Sequence, residues 1–188
     1  WEAFNSGCAF DANGMNAQEQ AIREHSWQGV LQDGPKGAVE FVLDTTGAIK
    51  IWKAPQYKSR YFIAADVAKG VEGGDNSVAL VIDQANWEIV AKFCDKIEPT
   101  EFGKQLYGLG LHYNTAKIAV EVWPGPGLAT GAKLLELKYP KDRLYRRMTW
   151  NEDKHTTTGE VGWVTDERSR HDLITALQTS VLHKRVIV

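Results

Sequence analysis

Two acidic residues stand where apolar runs end, and their positions suggest metal chemistry. Asp66 directly follows the run 61–65, and Glu121 lies near the end of the run 116–122. Both runs are typical of strands buried on both faces. If these strands are adjacent and parallel, the two carboxylates lie at one edge of a sheet, because neighbouring strands are about 4.8 Å apart. Carboxylates that close repel each other unless a cation lies between them.

The oxygen ligands of such a pair favour Mg²⁺ or Mn²⁺. Two ions about 3.5–4 Å apart would suit phosphoryl displacement, in which one activates water and the other stabilises the leaving oxygen. The structural alternative is a turn-forming or capping role, which is the commoner one for a strand-end carboxylate. Position favours the metal hypothesis, because an unpartnered charge at the end of an apolar run is costly. Asp75, in the glycine-rich turn after Asp66, is expected to cap that turn or to orient the metal ligands.

Basic residues form a second candidate site. The segment 138–149 contains several basic residues but a single acid, Asp142, and two tyrosines are interleaved with the basic residues. Such a band can neutralise nucleic-acid phosphates, although a solvated surface explains it equally well. The residues predicted to contact DNA are Lys141, Arg143, Arg146, Arg147, Lys154, Arg168 and Arg170.

Other chemistries find little support in the sequence. The turn 69–75 lacks the phosphate-binding GxxxxGK[ST] motif, the five histidines form neither HxH nor HExxH, and there is no GxSxG. Cys8 and Cys94 lack metal-ligand spacing, which favours a reducing compartment. With a net charge of -2, nucleic-acid binding requires a local patch. No apolar run approaches the length of a membrane span, so no membrane partner is expected.

The elements that must position these residues form an α/β pattern. Strand-like runs at 61–66, 77–83 and 88–93 with short turns predict an antiparallel meander. A helix capped by Thr100 then leads, by a right-handed crossover, to a parallel strand at 116–122. The chain continues with a helix at 128–137, a strand at 144–148, a loop or exposed hairpin at 151–163, and a helix at 167–182 whose buried stripe is Leu173, Leu177 and Val181.

The first sixty residues read differently from the rest. Asn, Gly and Asp turn signals surround one short helical stretch at 17–27. The runs 38–43 and 48–52 alternate well enough to predict a hairpin across the turn 44–47. We therefore expect residues 1–60 to form a linker or apron, and Trp1 as the first residue suggests a piece of a longer chain.

Both acidic segments are familiar. Residues 61–70, followed by 74–77, resemble the first acidic motif of the nuclease domain of tailed-phage terminase large subunits, and 120–127 is similar to the second acidic motif. Residues 145–147 and 162–165 look like later landmarks of that family. The segment 4–11 resembles the end of the terminase ATPase domain and its linker.

The resemblance implies an RNase H-like fold, with an antiparallel meander plus parallel strands in one mixed sheet flanked by helices. It implies a two-metal, Mg²⁺- or Mn²⁺-dependent endodeoxyribonuclease that cuts concatemeric viral DNA with low sequence specificity. Asp66 and Glu121 match the first two metal ligands. Residues 1–60 would then follow an ATPase domain absent from this sequence, and 61–188 would be a nuclease domain lacking its last helix.

A third acid completes the family's metal site on a C-terminal helix. Asp172, in the segment Arg170–Leu173, faintly resembles that motif. The register set by Gly162 and Trp163 places Asp172 on an earlier helix, so the third ligand is expected beyond this sequence. Weak metal binding and low activity would follow.

The partners that the resemblance implies are double-stranded viral DNA and, in the full motor, the ATPase domain, the portal and the small terminase subunit. We expect a monomeric isolated domain, in the host cytoplasm. One alternative is a DNA-binding or portal-docking module without catalysis. Another is an actin-like phosphotransferase, which also places an Asp before a glycine-bearing hairpin but needs a second nucleotide-binding half.

Overall fold

The computed structural model describes residues 10–35, 38–123, 125–151, 156–183 and 185. The helices among them are α1 (Ala12–Ala21), α2 (Pro99–His112), α3 (Gly127–Glu136) and α4 (Glu167–Leu182), with a 3₁₀ turn at Lys141–Arg143. The strands are β1 (Trp27–Asp33), β2 (Val39–Leu43), β3 (Ile49–Ile51), β4 (Tyr61–Asp66), β5 (Ser77–Asp83), β6 (Glu88–Asp95), β7 (Lys117–Trp123), β8 (Arg146–Asn151), β9 (Thr156–Val161) and β10 (Trp163–Val164).

Eight of these strands form one mixed sheet in the order β10-β7-β4-β5-β6-β3-β1-β2. The pairs β4–β7 and β7–β10 are parallel, and the others are antiparallel. The meander β4-β5-β6 and the parallel strand β7 beside β4 confirm the predicted α/β architecture. Strands β8 and β9 form a separate antiparallel hairpin.

Alternation along the strands gives the sheet two unlike faces. Ile63, Val81 and Phe93 point to one face, where each is at most 2% exposed, and α2 and α3 cover it. We call this the covered face. On the opposite side, the open face, the central strands carry Phe62, Ala64, Asp66, Val78, Leu80, Lys92 and Cys94, of which Asp66 is exposed and the others half-buried.

The N-terminal part of the sheet differs from the prediction. The hairpin predicted between 38–43 and 48–52 is wrong, because β2 and β3 both pair with β1, which lies between them. The helix expected at 17–27 is α1, which ends at Ala21, and Trp27 begins β1 instead. The division of the chain at residue 60 stays a prediction, although β1, β2 and β3 extend the same sheet as β4.

Helix α2 begins two residues earlier than an N-cap at Thr100 would allow. Glu98 is the N-cap, and its carboxylate accepts hydrogen bonds from the backbone N–H groups of Thr100 and Glu101 at 2.8 and 3.1 Å. Pro99 fills the first helical position, where a missing N–H costs nothing. The predicted Thr100 cap is therefore wrong, and the proline next to it was the better signal.

The C-terminal elements lie close to their predicted positions, but their burial differs from the prediction. The predicted strand at 144–148 is β8, displaced to 146–151, and the exposed-hairpin interpretation of 151–163 fits β8 and β9. Helix α4 spans the predicted 167–182. Its predicted buried stripe is wrong for Leu173 and Leu177, which are 49% and 47% exposed; Val181 is buried and lies against Gly14 of α1. None of the helices described here is long and apolar enough to cross a membrane.

Candidate metal and nucleic-acid site

The two predicted acids end neighbouring parallel strands. Strands β4 and β7 are in register from Phe62 opposite Lys117 to Ala65 opposite Val120. One residue further along each strand are Asp66 and Glu121. Because the register between the two strands does not shift, the two carboxylates lie side by side on the same face of the sheet, as predicted.

That face is the open one. Ala65 and Val120 point into the core and are 6% and 1% exposed. The next residues point the other way, so that Asp66 is exposed and Glu121 is half-buried. The strand alternation thus delivers both carboxylates to solvent while their neighbours anchor the strands.

The two acids share a cavity of about 290 Å³ with the turn that follows β7. Gly127, the first residue of α3, comes so close that a Cβ there would lie 1.8 Å from the carbonyl oxygen of Glu121. Only glycine permits this approach. The start of α3 therefore forms one wall of the cavity, which is lined by Asp66, Val67, Glu121, Val122, Gly125, Pro126 and Gly127.

An apolar groove of about 420 Å³ borders the same carboxylates. The rings of Tyr145 and Trp163 lie on its wall with their centroids 5.7 Å apart. The indole N–H of Trp163 is buried and has no hydrogen-bond acceptor among the described residues. The groove is lined by Phe62, Ala64, Ala65, Asp66, Val78, Leu80, Ala119, Glu121, Tyr145, Trp163, Thr165 and Leu173.

The acid pair fits a divalent cation. No hydrogen bond or ion pair within the described part of the chain involves the carboxylate of Asp66 or Glu121. Two neighbouring carboxylates without a counter-charge repel each other. Their oxygens are the ligands that Mg²⁺ and Mn²⁺ prefer. These two residues could therefore hold a metal ion.

The structure does not bring a third acid to this pair. Among the described residues, no group of three His, Cys, Asp or Glu side chains could hold a metal together. Asp172 is exposed on α4 and lines neither the acid cavity nor the groove, although its neighbour Leu173 lines the groove. Asp75 is exposed in the turn before β5 and also lies outside both linings.

The predicted basic band is distributed over several elements. Arg146 is exposed on β8, while Arg147 on the same strand pairs with Glu160 of β9. Lys141 and Arg143 lie in the 3₁₀ turn, and Arg143 is 3.6 Å from Asp142. Lys154 lies outside the described residues. The remaining two, Arg168 and Arg170, are exposed on α4.

The groove wall was not predicted as part of the site. In the sequence, Tyr145 is an aromatic residue within the basic band and part of a landmark of the resemblance, and Trp163 is part of another landmark. Trp163 reaches Glu121 because β10, a strand of two residues, pairs in parallel with β7. Glycine at 162, with a φ of 104°, was the available signal for the sharp bend that precedes it.

Comparison with solved structures yields large terminase nucleases of phages. The large terminase nuclease of the thermophilic phage G20c with bound magnesium matches with a TM-score of 0.57 and 15% identity, over 77% of this chain and 66% of the nuclease. The large terminase nuclease domain of Thermus phage P74-26 matches with a TM-score of 0.53 and 18% identity, over 77% and 64%. The chain has the fold of a large terminase nuclease domain.

This terminase nuclease fold confirms the predicted RNase H-like class. The present chain spans slightly less than two thirds of these two nucleases. Other structures of the G20c nuclease contain bound zinc or cobalt, and the zinc form matches with a TM-score of 0.56 and 16% identity over 77% of this chain and 72% of that nuclease. No protein-family model and no curated protein matches the sequence.

Proposed function

We propose that this chain is a metal-dependent endonuclease domain of a phage DNA-packaging terminase. It would hydrolyse phosphodiester bonds of concatemeric viral DNA with low sequence specificity, in the host cytoplasm. The observation that carries the proposal is the in-register pair Asp66 and Glu121, which has no counter-charge within the described part of the chain. The fold shared with metal-binding phage nucleases supports it.

Different residues of the chain would have different roles in hydrolysis. Asp66 and Glu121 would hold one or two Mg²⁺ or Mn²⁺ ions. Bound there, a divalent cation supplies charge stabilisation and a more acidic water for phosphodiester hydrolysis. The turn 125–127 leaves the acids accessible, since a Cβ at Gly125 would meet no atom within 4 Å.

The low specificity follows from what faces the acids. The groove beside them is lined mainly by apolar and aromatic side chains. Such surfaces stack or pack without reading base edges, so binding is tolerant of sequence. The proposed substrate is double-stranded DNA, and the bond that is cut lies in its sugar-phosphate backbone, which carries no sequence information. The ATPase domain, the portal and the small terminase subunit are the proposed partners in the motor.

Plasmid nicking tests the proposal. We expect the purified chain to nick supercoiled plasmid with Mn²⁺ or Mg²⁺ and not with EDTA, and to do so slowly because only two acids converge among the described residues. Asp66→Asn should abolish nicking, because asparagine loses the charge but keeps the size, and DNA binding should persist. Asp142→Asn, an acid in the 3₁₀ turn, is the matched control and should nick like the wild type. Undiminished nicking by Asp66→Asn would refute the assignment.

A second candidate function is a docking or DNA-binding module without catalysis. It is favoured by one observation, namely that only two acids converge among the described residues. This alternative predicts salt-dependent DNA binding but no metal-dependent rise in unfolding temperature. Titrating Mn²⁺ against the wild type and Glu121→Gln distinguishes the two, because only a metal site gives a rise that the variant loses.

A further inference from the structure

We propose that Lys50 and Lys92 form a phosphate-binding subsite that holds the backbone of the nucleic acid on the open face of the sheet. Lys50 of β3 and Lys92 of β6 are direct cross-strand partners. Lys50 is exposed and Lys92 is half-buried. The inference rests on the proposed function, because that function identifies the bound molecule as DNA.

Sheet register places the lysines on the same face as the acids. Lys92 is opposite Leu80 of β5, and Leu80 is opposite Ala64 of β4. Asp66 lies two residues beyond Ala64 on the same strand, and therefore on the same side. The lysine pair and the acid pair thus share one continuous surface.

The separation suits a short stretch of backbone. Lys92 lies two strands and two residues away from Asp66, or about 12 Å between backbone positions at standard strand spacing and rise. This span is about three to four nucleotides of a DNA strand at about 3.4 Å per nucleotide. The face between them carries Leu80, Val78 and Cys94, which have no charge to repel a phosphate.

The charges themselves point to an external anion. Like charges directly opposite each other on neighbouring strands destabilise a sheet. Neither lysine takes part in an ion pair within the described part of the chain. A bound phosphate would relieve the repulsion that the fold leaves uncompensated.

A cavity beside the lysines offers room for the anion. It measures about 320 Å³, and Lys50, Lys92, Gln28 and Thr46 line it. Asp95 is the one acid among the described residues of its lining, and its carboxylate accepts a hydrogen bond from the backbone N–H of Lys96 at 2.7 Å. The two ammonium groups therefore leave this cavity with a net positive charge.

DNA binding measured without cutting tests the inference. The protein is the Asp66→Asn variant in EDTA, and the probe is a fluorescent duplex whose anisotropy is followed from low to high salt. Adding Lys50→Gln and Lys92→Gln should reduce the slope of log affinity against log salt by about 0.9, since the pair holds one phosphate and each phosphate contact contributes about that much. An unchanged slope would overturn the proposal.

The control removes two charges elsewhere. Lys58 lies in the loop before β4, at the end of that strand opposite Asp66, and Lys104 is an exposed residue of α2, the helix that covers the other face of the sheet. Lys58→Gln with Lys104→Gln should leave the slope unchanged. If this pair reduces the slope as much as Lys50→Gln with Lys92→Gln, the effect is one of overall charge and the proposal fails.

Thermal unfolding separates a binding role from a structural one. Lys50→Gln and Lys92→Gln should unfold at the same temperature as the parent or higher, because they remove a repulsion. A drop of several degrees with an unchanged salt slope would show a structural role and refute the subsite. The subsite is also refuted if inorganic phosphate stabilises the parent but not the variant while their DNA slopes agree, since the site would then serve small anions.

A plasmid-nicking failure bears on a different claim. The binding assay uses neither metal nor an intact acid pair, so it reports on the lysines alone. A reduced slope together with an inactive wild type would refute the nuclease assignment and keep the subsite. Normal metal-dependent nicking with an unchanged slope would keep the nuclease assignment and refute the subsite.

Discussion

On the covered face of the sheet, Ile63 and Phe93 lie beneath α2 and α3 and are almost fully buried; on the open face, their sequence neighbours Ala64 and Lys92 are half-buried. The same strands carry both sets, because side chains alternate between the two sides. The covered face stabilises the molecule, and the open face presents charged groups that have no ion-pair partner among the described residues. Stability and chemistry are therefore separable by substitution.

Aromatic truncation gives the largest expected contrast. Phe93 is 2% exposed and its ring centroid lies 5.2 Å from that of Phe102. Phe93→Ala should lower the free energy of unfolding by about 3–5 kcal/mol. Phe62→Ala, the matched change on the open face, should cost less than about 2 kcal/mol because Phe62 is only half-buried. Urea unfolding of both variants measures this, and equal losses would erase the distinction between the faces.

Glu88 is a buried charged residue that, unlike the two acids on the open face, has ion-pair partners. Its carboxylate is 3% exposed and pairs with Arg23 and Lys53. Burial works to raise the pKa of Glu88, but the hydrogen bonds from Lys53, Arg23 and Asn86 outweigh it and hold the pKa below its usual value. Glu88→Gln should cost about 1–3 kcal/mol at neutral pH.

The sign of the pH dependence follows from that lowered pKa. A carboxylate that is more acidic in the folded state stabilises it at all pH values above the unfolded pKa, about 4.3. This contribution is lost as the pH falls through the lower, folded value. The difference in unfolding temperature between wild type and Glu88→Gln should therefore be constant from about pH 6 to 8 and shrink below about pH 4. A difference that grows on acidification would contradict the ion-pair assignment.

Tyr139 tests how a polar atom is accommodated in the core. Its hydroxyl donates a buried hydrogen bond to the carbonyl oxygen of Ala116 at 2.5 Å. Burial raises the pKa of this phenol far above its usual value, so it stays neutral and remains a donor. Tyr139→Phe should lower stability by about 1 kcal/mol, measured by chemical denaturation. No loss would mean that the Ala116 carbonyl finds another donor.

Asp66→Asn should have the smallest effect on stability, although it removes activity. In EDTA the variant should unfold at the wild-type temperature or slightly above, because one of two neighbouring negative charges is gone. Mn²⁺ at 100 times Kd should stabilise the wild type by about 2.7 kcal/mol, seen as a higher unfolding temperature, and leave the variant unchanged. An equal rise in both proteins would place the metal elsewhere.

The sequence predicted the centre of the sheet well because its strands are continuous apolar runs. The runs 61–65 and 116–122 are typical of buried strands, and connection rules predicted that the second is a parallel crossover strand. Its pairing with the first, which brings the two acids together, was a condition of the metal hypothesis that the structure fulfils. The edge was harder to predict. Strand β1 begins at Trp27, within what reads as the end of a helical stretch, and its insertion between β2 and β3 is a long-range choice that local turn signals do not report.

The burial of α4 and the residues of the groove wall also depend on long-range contacts, so local sequence patterns could not predict them. Leu173 and Leu177 share a helical stripe, but a stripe predicts burial only if another element covers it, and the described elements leave both about half exposed. Trp163 joins the acids through a two-residue strand, which is too short to leave a periodic signal. The juxtaposition of the two lysines could likewise not be predicted from the sequence, because Lys50 and Lys92 are far apart in the chain and are brought together only by strand pairing.

The glycine that opens α3 limits how this site can be altered. Because the backbone at position 127 presses on the peptide carbonyl of Glu121, any bulkier residue would push against the acid's own main chain. A randomised library at this position should return glycine alone among variants that keep metal affinity. An engineer who wishes to reshape the cavity must therefore mutate the opposite rim and leave the first turn of the helix unchanged.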